Sequence, residues 1–252
     1  MSPDRGGRAA LRRARPLLGT LVEVGLCDGA AAPAAAIGAA FDADAEVQAC
    51  LSRFDPASDI ARFHALAPGA SLPVRRHTAR VLAAARRLNE ASAGLFDVAL
   101  RSARDGWRCD GARLFKLADG VRLDLGGIGK GYAVDCAVAA LRAHGVAAGW
   151  VNAGGDVRAF GDAALPVWLR DETEGGARPF ATLADGAFAT SRFDARSRCR
   201  AVGPACGAAV HAHASVAAPL CLWADALTKV VAISGDASHP LLARYAARAW
   251  LH

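Results

Sequence analysis

The residues of this chain best suited to chemistry gather on one glycine-packed turn. In Leu123-Asp124-Leu125-Gly126-Gly127-Ile128-Gly129-Lys130-Gly131-Tyr132-Ala133-Val134-Asp135, four glycines fall within six positions. Bare backbone lets a ligand approach closely. The pattern predicts a strand, a turn and then a helix. A helix start directs unpaired N–H groups and a partial positive charge at whatever lies before it, which suits a phosphate. Lys130 adds an ammonium, and Asp124 and Asp135 frame the turn with carboxylates. On residue types alone this is a nucleotide-phosphate or metal-phosphate site, or else a structural turn with a solvated lysine. Two familiar phosphate loops are excluded. G-x-G-x-x-G read from Gly127 meets Tyr132 where glycine is required. A P-loop ending on Gly129-Lys130 meets Asp124 at its first glycine and Gly131 where Ser or Thr is needed.

Composition narrows the class. The chain has 252 residues, 53% of them hydrophobic, which is enough for one large or two small globular cores. The net charge of +6 is compatible with an acidic ligand or nucleic acid. No basic run interleaved with aromatics occurs, and only Arg5, Arg8, Arg12, Arg13 and Arg15 cluster, so a nucleic-acid partner is not expected. Lysine is scarce: Lys116, Lys130 and Lys229 are the only lysines among 30 basic residues. A compact ammonium is not equivalent to a guanidinium at a tight phosphate site, so the placement of two lysines in motif segments is a hint of function. Seven cysteines, odd in number and without C-x-x-C spacing, argue against a disulfide framework or a zinc site. No apolar run is long enough to span a bilayer, and no export signal is visible, so a cytoplasmic location is expected.

The elements that must position the turn read as follows. Residues 1–16 are expected to be a disordered basic tail, and 17–252 a single domain. Strands are expected at Leu17–Leu26, Gly149–Asn152, Asp156–Phe160, Pro166–Arg170, Phe180–Ser191 (bent at Asp185-Gly186) and Val216–Pro219. Helices are expected at Ala34–Leu51, at a short segment from Ser58, at His77–Ser92 stopped by Gly94, after the glycine turn to Gly145, at Trp223–Ile233 and at Pro240–Trp250. Arg113–Leu123 reads as a hairpin turning at Asp119-Gly120. Helices and antiparallel hairpins mix without regular strand–helix alternation, which predicts an α+β fold with largely antiparallel sheets.

Six segments, taken in order, resemble the FAD:protein FMN transferases of the ApbE type. Leu18-Gly19-Thr20 is similar to their Met-Gly-Thr, and Phe54-Asp55-Pro56-Ala57-Ser58-Asp59 to their aromatic-Asp-Pro-x-Ser-Glu. Gly94-Leu95-Phe96-Asp97-Val98 resembles Gly-x-Phe-Asp-Val/Pro, and Leu123–Asp135 resembles Leu-Asp-Leu-Gly-Gly-Ile-Ala-Lys-Gly-Tyr-Ala-Val-Asp. Asn152-Ala153-Gly154-Gly155-Asp156 matches Asn-x-Gly-Gly-Asp, and Ala224-Asp225-Ala226-Leu227 matches Ala-Asp-Ala-Leu. The resemblance spans roughly residues 17–250.

The resemblance implies a Mg²⁺-dependent transfer of FMN from FAD to a Ser or Thr hydroxyl of an acceptor flavoprotein, with release of AMP. It makes Asp225 a metal ligand with the Gly127 carbonyl beside it. Leu18, Phe54 and the Leu95-Phe96-Asp97 stretch would line the adenine or flavin pocket, although Phe54 and Phe96 by residue type belong in a core. Asp124 would bind FAD and Lys130 its phosphates. Most relatives act outside the cytoplasm on membrane-associated electron-transfer proteins.

Three departures from the family pattern stand out. The usual His-x-x-Asp-Pro-x-x-Gly is here Arg200-Ala201-Val202-Gly203-Pro204-Ala205-Cys206-Gly207, which puts Arg200 at the position of the histidine, with His211 and His213 downstream. The Thr or Ser metal ligand one helical turn after the aspartate is Lys229, with Thr228 beside it. Positions i and i+4 share a helix face, so Lys229 is expected beside Asp225, able to pair with it and to repel a cation. Arg200 and Lys229 thus take the catalytic positions. The segment between Asp97 and Arg113 is also shorter than usual. A flavin-holding paralogue without transfer activity and an FAD pyrophosphatase are the alternative readings.

Overall fold

The computed structural model describes residues 11–27, 30–100, 102, 105–170, 175–193 and 213–252. The strands are β1 (Leu11–Leu17), β2 (Thr20–Leu26), β3 (Ser71–Pro73), β4 (Trp107–Asp110), β5 (Arg113–Lys116), β6 (Gly149–Ala153), β7 (Asp156–Arg170), β8 (Ala177–Arg192), β9 (His213–Ala218) and β10 (Arg248–Leu251). The helices are α1 (Pro33–Leu51), α2 (Asp59–His64), α3 (Arg76–Ala91), α4 (Gly129–Ala143), α5 (Cys221–Ser234) and α6 (Leu241–Arg244). Seven strands form one antiparallel sheet in the order β1-β2-β6-β7-β8-β9-β10, and β3-β5-β4 form a second. The expected α+β class is the observed one.

Alternation sets the register of the large sheet. Val22 and Val24 of β2 face the same core as Val151 and Ala153 of β6, because Val22 lies opposite Ala153 and Val24 opposite Val151. Helix α4 covers this face between α1 and α5, burying Val134, Ala137, Val138 and Leu141. A second core under α3 and α5 joins Phe63, Leu82, Leu88, Leu123, Ile128, Leu227 and Val230. Local signals fix the helix ends. The Ser58 hydroxyl accepts from the Ala61 amide to start α2, and Gly235 with φ 67 closes α5.

Four expectations fail at particular places. Residues 11–16, expected in the basic tail, are strand instead, because Leu11–Leu17 pairs with β2 over seven positions, with Arg12 over the Trp150 ring and Arg15 over Phe41; residues 1–10 of the expected tail lie outside the described residues. The single strand expected at Leu17–Leu26 is therefore a hairpin. Its turn is Leu18-Gly19, both with positive φ (56 and 71), as a two-residue turn of this hand requires. The hairpin expected to turn at Asp119-Gly120 instead joins β4 to β5 around Gly111, because Trp107–Asp110 supplies the partner strand. Val121–Leu125 alternates buried and more exposed residues like a strand but has no ladder partner among the described residues. Its amides are satisfied singly, Leu123 donating to His64 Nε2 at 2.9 Å and Asp124 to the Val98 carbonyl at 2.8 Å. Finally, the terminal helix expected to reach Trp250 stops at Arg244. Ala246 turns with φ 49, and Arg248–Leu251 adds to the sheet beside β9, where Trp250 packs edge-on against Phe180 at 5.2 Å.

Candidate functional site

The glycine turn sits at one wall of a cavity of about 950 Å³. Leu18, Phe54, Leu95, Phe96, Asp97, Asp124, Gly127, Lys130 and Lys229 all line it, although they come from five separate stretches of chain. Asp225 lies directly behind the wall, fully buried. Arg200 and His211 fall outside the described residues. His213, the first residue of β9, does not line the cavity.

The rim is built by short-range contacts. Asp124 Oδ1 accepts from the Gly126 amide at 2.9 Å, which folds the turn back on itself. Its other oxygen pairs with Arg53 at 3.1 Å, and the Arg53 guanidinium lies 4.7 Å from the Phe54 ring centre. Phe54 is 82% exposed at the cavity mouth, so residue type misplaces it as core, whereas Phe96 is buried as its type suggests. Across the mouth, the Leu18 amide donates to the Gln48 side chain, which ties the β1–β2 turn to α1. Asp97 Oδ1 accepts from the Ala99 amide at 2.9 Å and so closes the loop that carries Leu95 and Phe96.

The floor is a four-charge cluster in which Asp156, Asp225 and Lys229 are buried and Lys130 is partly exposed to the cavity. Lys229 Nζ donates to a carboxylate oxygen of Asp225, to the Asp225 carbonyl at 2.9 Å and to Ser191 Oγ at 3.0 Å. The other Asp225 oxygen accepts from the Gly131 amide at 3.1 Å and lies 3.8 Å from Lys130 Nζ. Lys130 in turn donates to Asp156, which is also buried. Burial alone would push the Asp225 carboxyl up. The two ammonium groups and the Gly131 N–H outweigh it and hold Asp225 below the usual carboxylate range. Asp156 is pushed up, by burial first and then by the neighbouring Asp225 charge.

Two residues of the motifs act differently from the expectation. Asp135 does not face the cavity. Its carboxylate accepts from the Cys221 and Leu222 amides at 3.0 and 2.9 Å and from Arg158 at 2.7 Å, so it caps the start of α5. Thr228, the hydroxyl next to Lys229, is spent on the Asp225 carbonyl and Ser191 Oγ, both at 2.7 Å. Asp156 and Ser191 join this cluster through Lys130 and Lys229, although the site assignment from sequence left them out. For Asp156 the signal was present in Asn152-Ala153-Gly154-Gly155-Asp156, whereas nothing local marks Ser191.

Magnesium held by Asp225 and Gly127 does not fit these residues. Both carboxylate oxygens of Asp225 already accept hydrogen bonds, and a cation there would meet two ammonium groups. Among the described residues, no group of three or more His, Cys, Asp or Glu gathers in a metal-binding arrangement.

An antiparallel α+β scaffold thus brings a helix-start glycine turn, Lys130 and Lys229 to the wall of one cavity. The family model for the ApbE family matches residues 18–117 and 109–249, and the chain belongs to that family. Three solved structures show the same fold. The ApbE protein from Thermotoga maritima is 21% identical, with 96% of this chain and 93% of that one covered and a TM-score of 0.82. A point mutant of the flavin transferase ApbE from Vibrio cholerae is 18% identical, covering 96% and 92%, with a TM-score of 0.80. The apo flavinyl transferase ApbE from Pseudomonas stutzeri is 23% identical, covering 92% and 86%, with a TM-score of 0.75. No curated protein matches the chain. Among the described residues, no helix is long and apolar enough to cross a membrane.

Proposed function

We propose that this protein transfers FMN from FAD to a Ser or Thr hydroxyl of an acceptor flavoprotein and releases AMP. One observation carries the reading: the residues that the family resemblance assigns to flavin line one cavity whose wall holds the glycine turn, Lys130 and Lys229. The apolar side of the cavity, with Leu18, Leu95, Phe96 and the exposed Phe54 ring, suits a planar ring system. The turn amides and Lys130 suit the diphosphate.

In this reading the acceptor oxygen forms a new bond to the FMN phosphorus. The bond from that phosphorus to the bridging oxygen breaks, AMP leaves with the electron pair, and the hydroxyl proton passes to solvent. The chain's own contribution is to orient the diphosphate and to neutralise charge as AMP departs. Arg200, always protonated, would serve as a charge partner rather than a base. The magnesium implied by the family resemblance is not carried into this reading, because the Asp225 surroundings disfavour it.

The test is incubation of the protein with FAD and an acceptor domain bearing the target Thr. Covalent flavin fluorescence on the acceptor with equimolar AMP is the expected result. AMP without labelled acceptor would instead mean hydrolysis, and retained FAD without either product a binding module.

A further inference from the structure

We infer that the protein grips the FAD diphosphate without a divalent metal, the Lys229 ammonium being the fixed positive charge at Asp225. The inference rests on the flavin reading above and concerns how that site is charged.

Three observations carry it. Lys229 Nζ has three N–H donors, and three acceptors surround it: the Asp225 carboxylate, the Asp225 carbonyl and Ser191 Oγ. It is therefore held in place as a point charge, not waving in solvent. Its side chain also runs against the glycine turn, because a Cβ on Gly127 would stand 3.1 Å from Lys229 Cε. The charge thus lies under the bare backbone that faces the ligand. Finally, the hydroxyl on that turn of α5, Thr228, is buried and already hydrogen-bonded to the Asp225 carbonyl and to Ser191 Oγ.

The charges already balance: Asp156 and Asp225 face Lys130 and Lys229. A dication at Asp225 would have to strip Lys229 from its carboxylate oxygen and leave an ammonium beside a metal in a buried site, which is unfavourable. The cluster is neutral in itself, and what it presents to the diphosphate is a fixed orientation: the Lys229 end lies under the glycine-turn backbone before anything binds, with no ion to be stripped of its hydration shell.

The experiment measures FAD binding by flavin fluorescence and calorimetry with the whole protein, once in excess EDTA and once in excess MgCl₂. Manganese binding to the protein alone is followed by the EPR signal of free Mn²⁺. Dissociation constants within twofold of each other, with the free Mn²⁺ signal undiminished, are expected. FAD binding that tightens tenfold or more with magnesium, or stoichiometric capture of Mn²⁺, overturns the inference while leaving the flavin reading intact. Absence of FAD binding in both buffers sinks both. Lys229→Thr supplies a second arm by restoring a hydroxyl: it should lose at least tenfold in FAD affinity in EDTA and regain it with MgCl₂. Unchanged binding by Lys229→Thr in EDTA overturns the inference. The wild-type comparison decides alone if the variant does not fold.

Discussion

Gly131 of α4 and Asp225 of α5 touch directly, amide to carboxylate at 3.1 Å, at the point where the two helices are closest to the cavity floor. A Cβ at position 131 would lie 2.6 Å from the Cys221 carbonyl carbon and 2.9 Å from Asp225 Cβ. The backbone of α5 cannot yield without losing the Asp135 cap at Cys221 and Leu222. Gly131→Ala should therefore push the helices apart and destabilise the fold by about 2 kcal/mol or more, as overpacking does. Urea unfolding measures this, and a midpoint equal to wild type would refute the contact.

Lys130 joins the two buried carboxylates, donating to Asp156 and standing 3.8 Å from Asp225. Lys130→Met keeps the stem and removes the charge. Transfer activity should fall roughly 100-fold, the order found when one preorganised donor is removed from a reacting phosphate or oxyanion. Lys130→Arg should not restore it, because a forked guanidinium does not fit between Asp156 and Asp225 as a point ammonium does. Single-turnover labelling of the acceptor distinguishes these outcomes, and full rescue by arginine would contradict the prediction.

Phe54 is an exposed ring at the cavity mouth, with the Arg53 guanidinium over its face. Truncating an exposed side chain costs the fold little. Phe54→Ala should leave the melting temperature within a degree or so of wild type, on the scale of small surface effects. FAD affinity should weaken by about tenfold, the loss of one aromatic stacking partner. Unchanged FAD affinity would remove Phe54 from the flavin pocket.

Asp44 of α1 is fully buried, and among the described residues neither of its carboxyl oxygens has a hydrogen-bond partner. Burial pushes its pKa up to about 8, from an ordinary value of 3.8. Its folded pKa lies above its unfolded one, so the folded state holds a proton that the unfolded state has lost. Stability from this group is full below pH 4, falls as pH rises towards 8 and is level above that, at about 1.4 kcal/mol per pH unit in between. Asp44→Asn should flatten this segment of the stability–pH curve and be more stable than wild type at pH 8. Chemical denaturation across pH 5 to 8 tests the sign. A wild-type curve rising over that range would reverse it.

Much of the site was legible from contiguous residues. The glycine turn announces the start of α4, and spacing i to i+4 places Lys229 on Asp225, as found. The helix expected at His77–Ser92 is α3 at Arg76–Ala91, because its apolar stripe Val81, Leu82, Ala85 and Leu88 repeats at helical period. Less legible was the segment Val121–Leu125. It alternates like a strand, but among the described residues no neighbouring strand comes alongside, and alternation records burial of one face without naming a partner.

What the sequence settled by itself depends on residues within about one helical turn of each other: the glycine turn at the start of α4, the cap of α2 and the stop of α5, the Lys229–Asp225 pair and the family motifs. What only the tertiary structure decided is who meets whom across long separations. Lys130 pairs with Asp156, Asp135 caps a helix 86 residues away, and Ser191 reaches Lys229 across 38. Sheet register and helix packing set those meetings. Both arise from burial, which is non-directional and summed over the whole chain, so no local stretch of residues carries the answer.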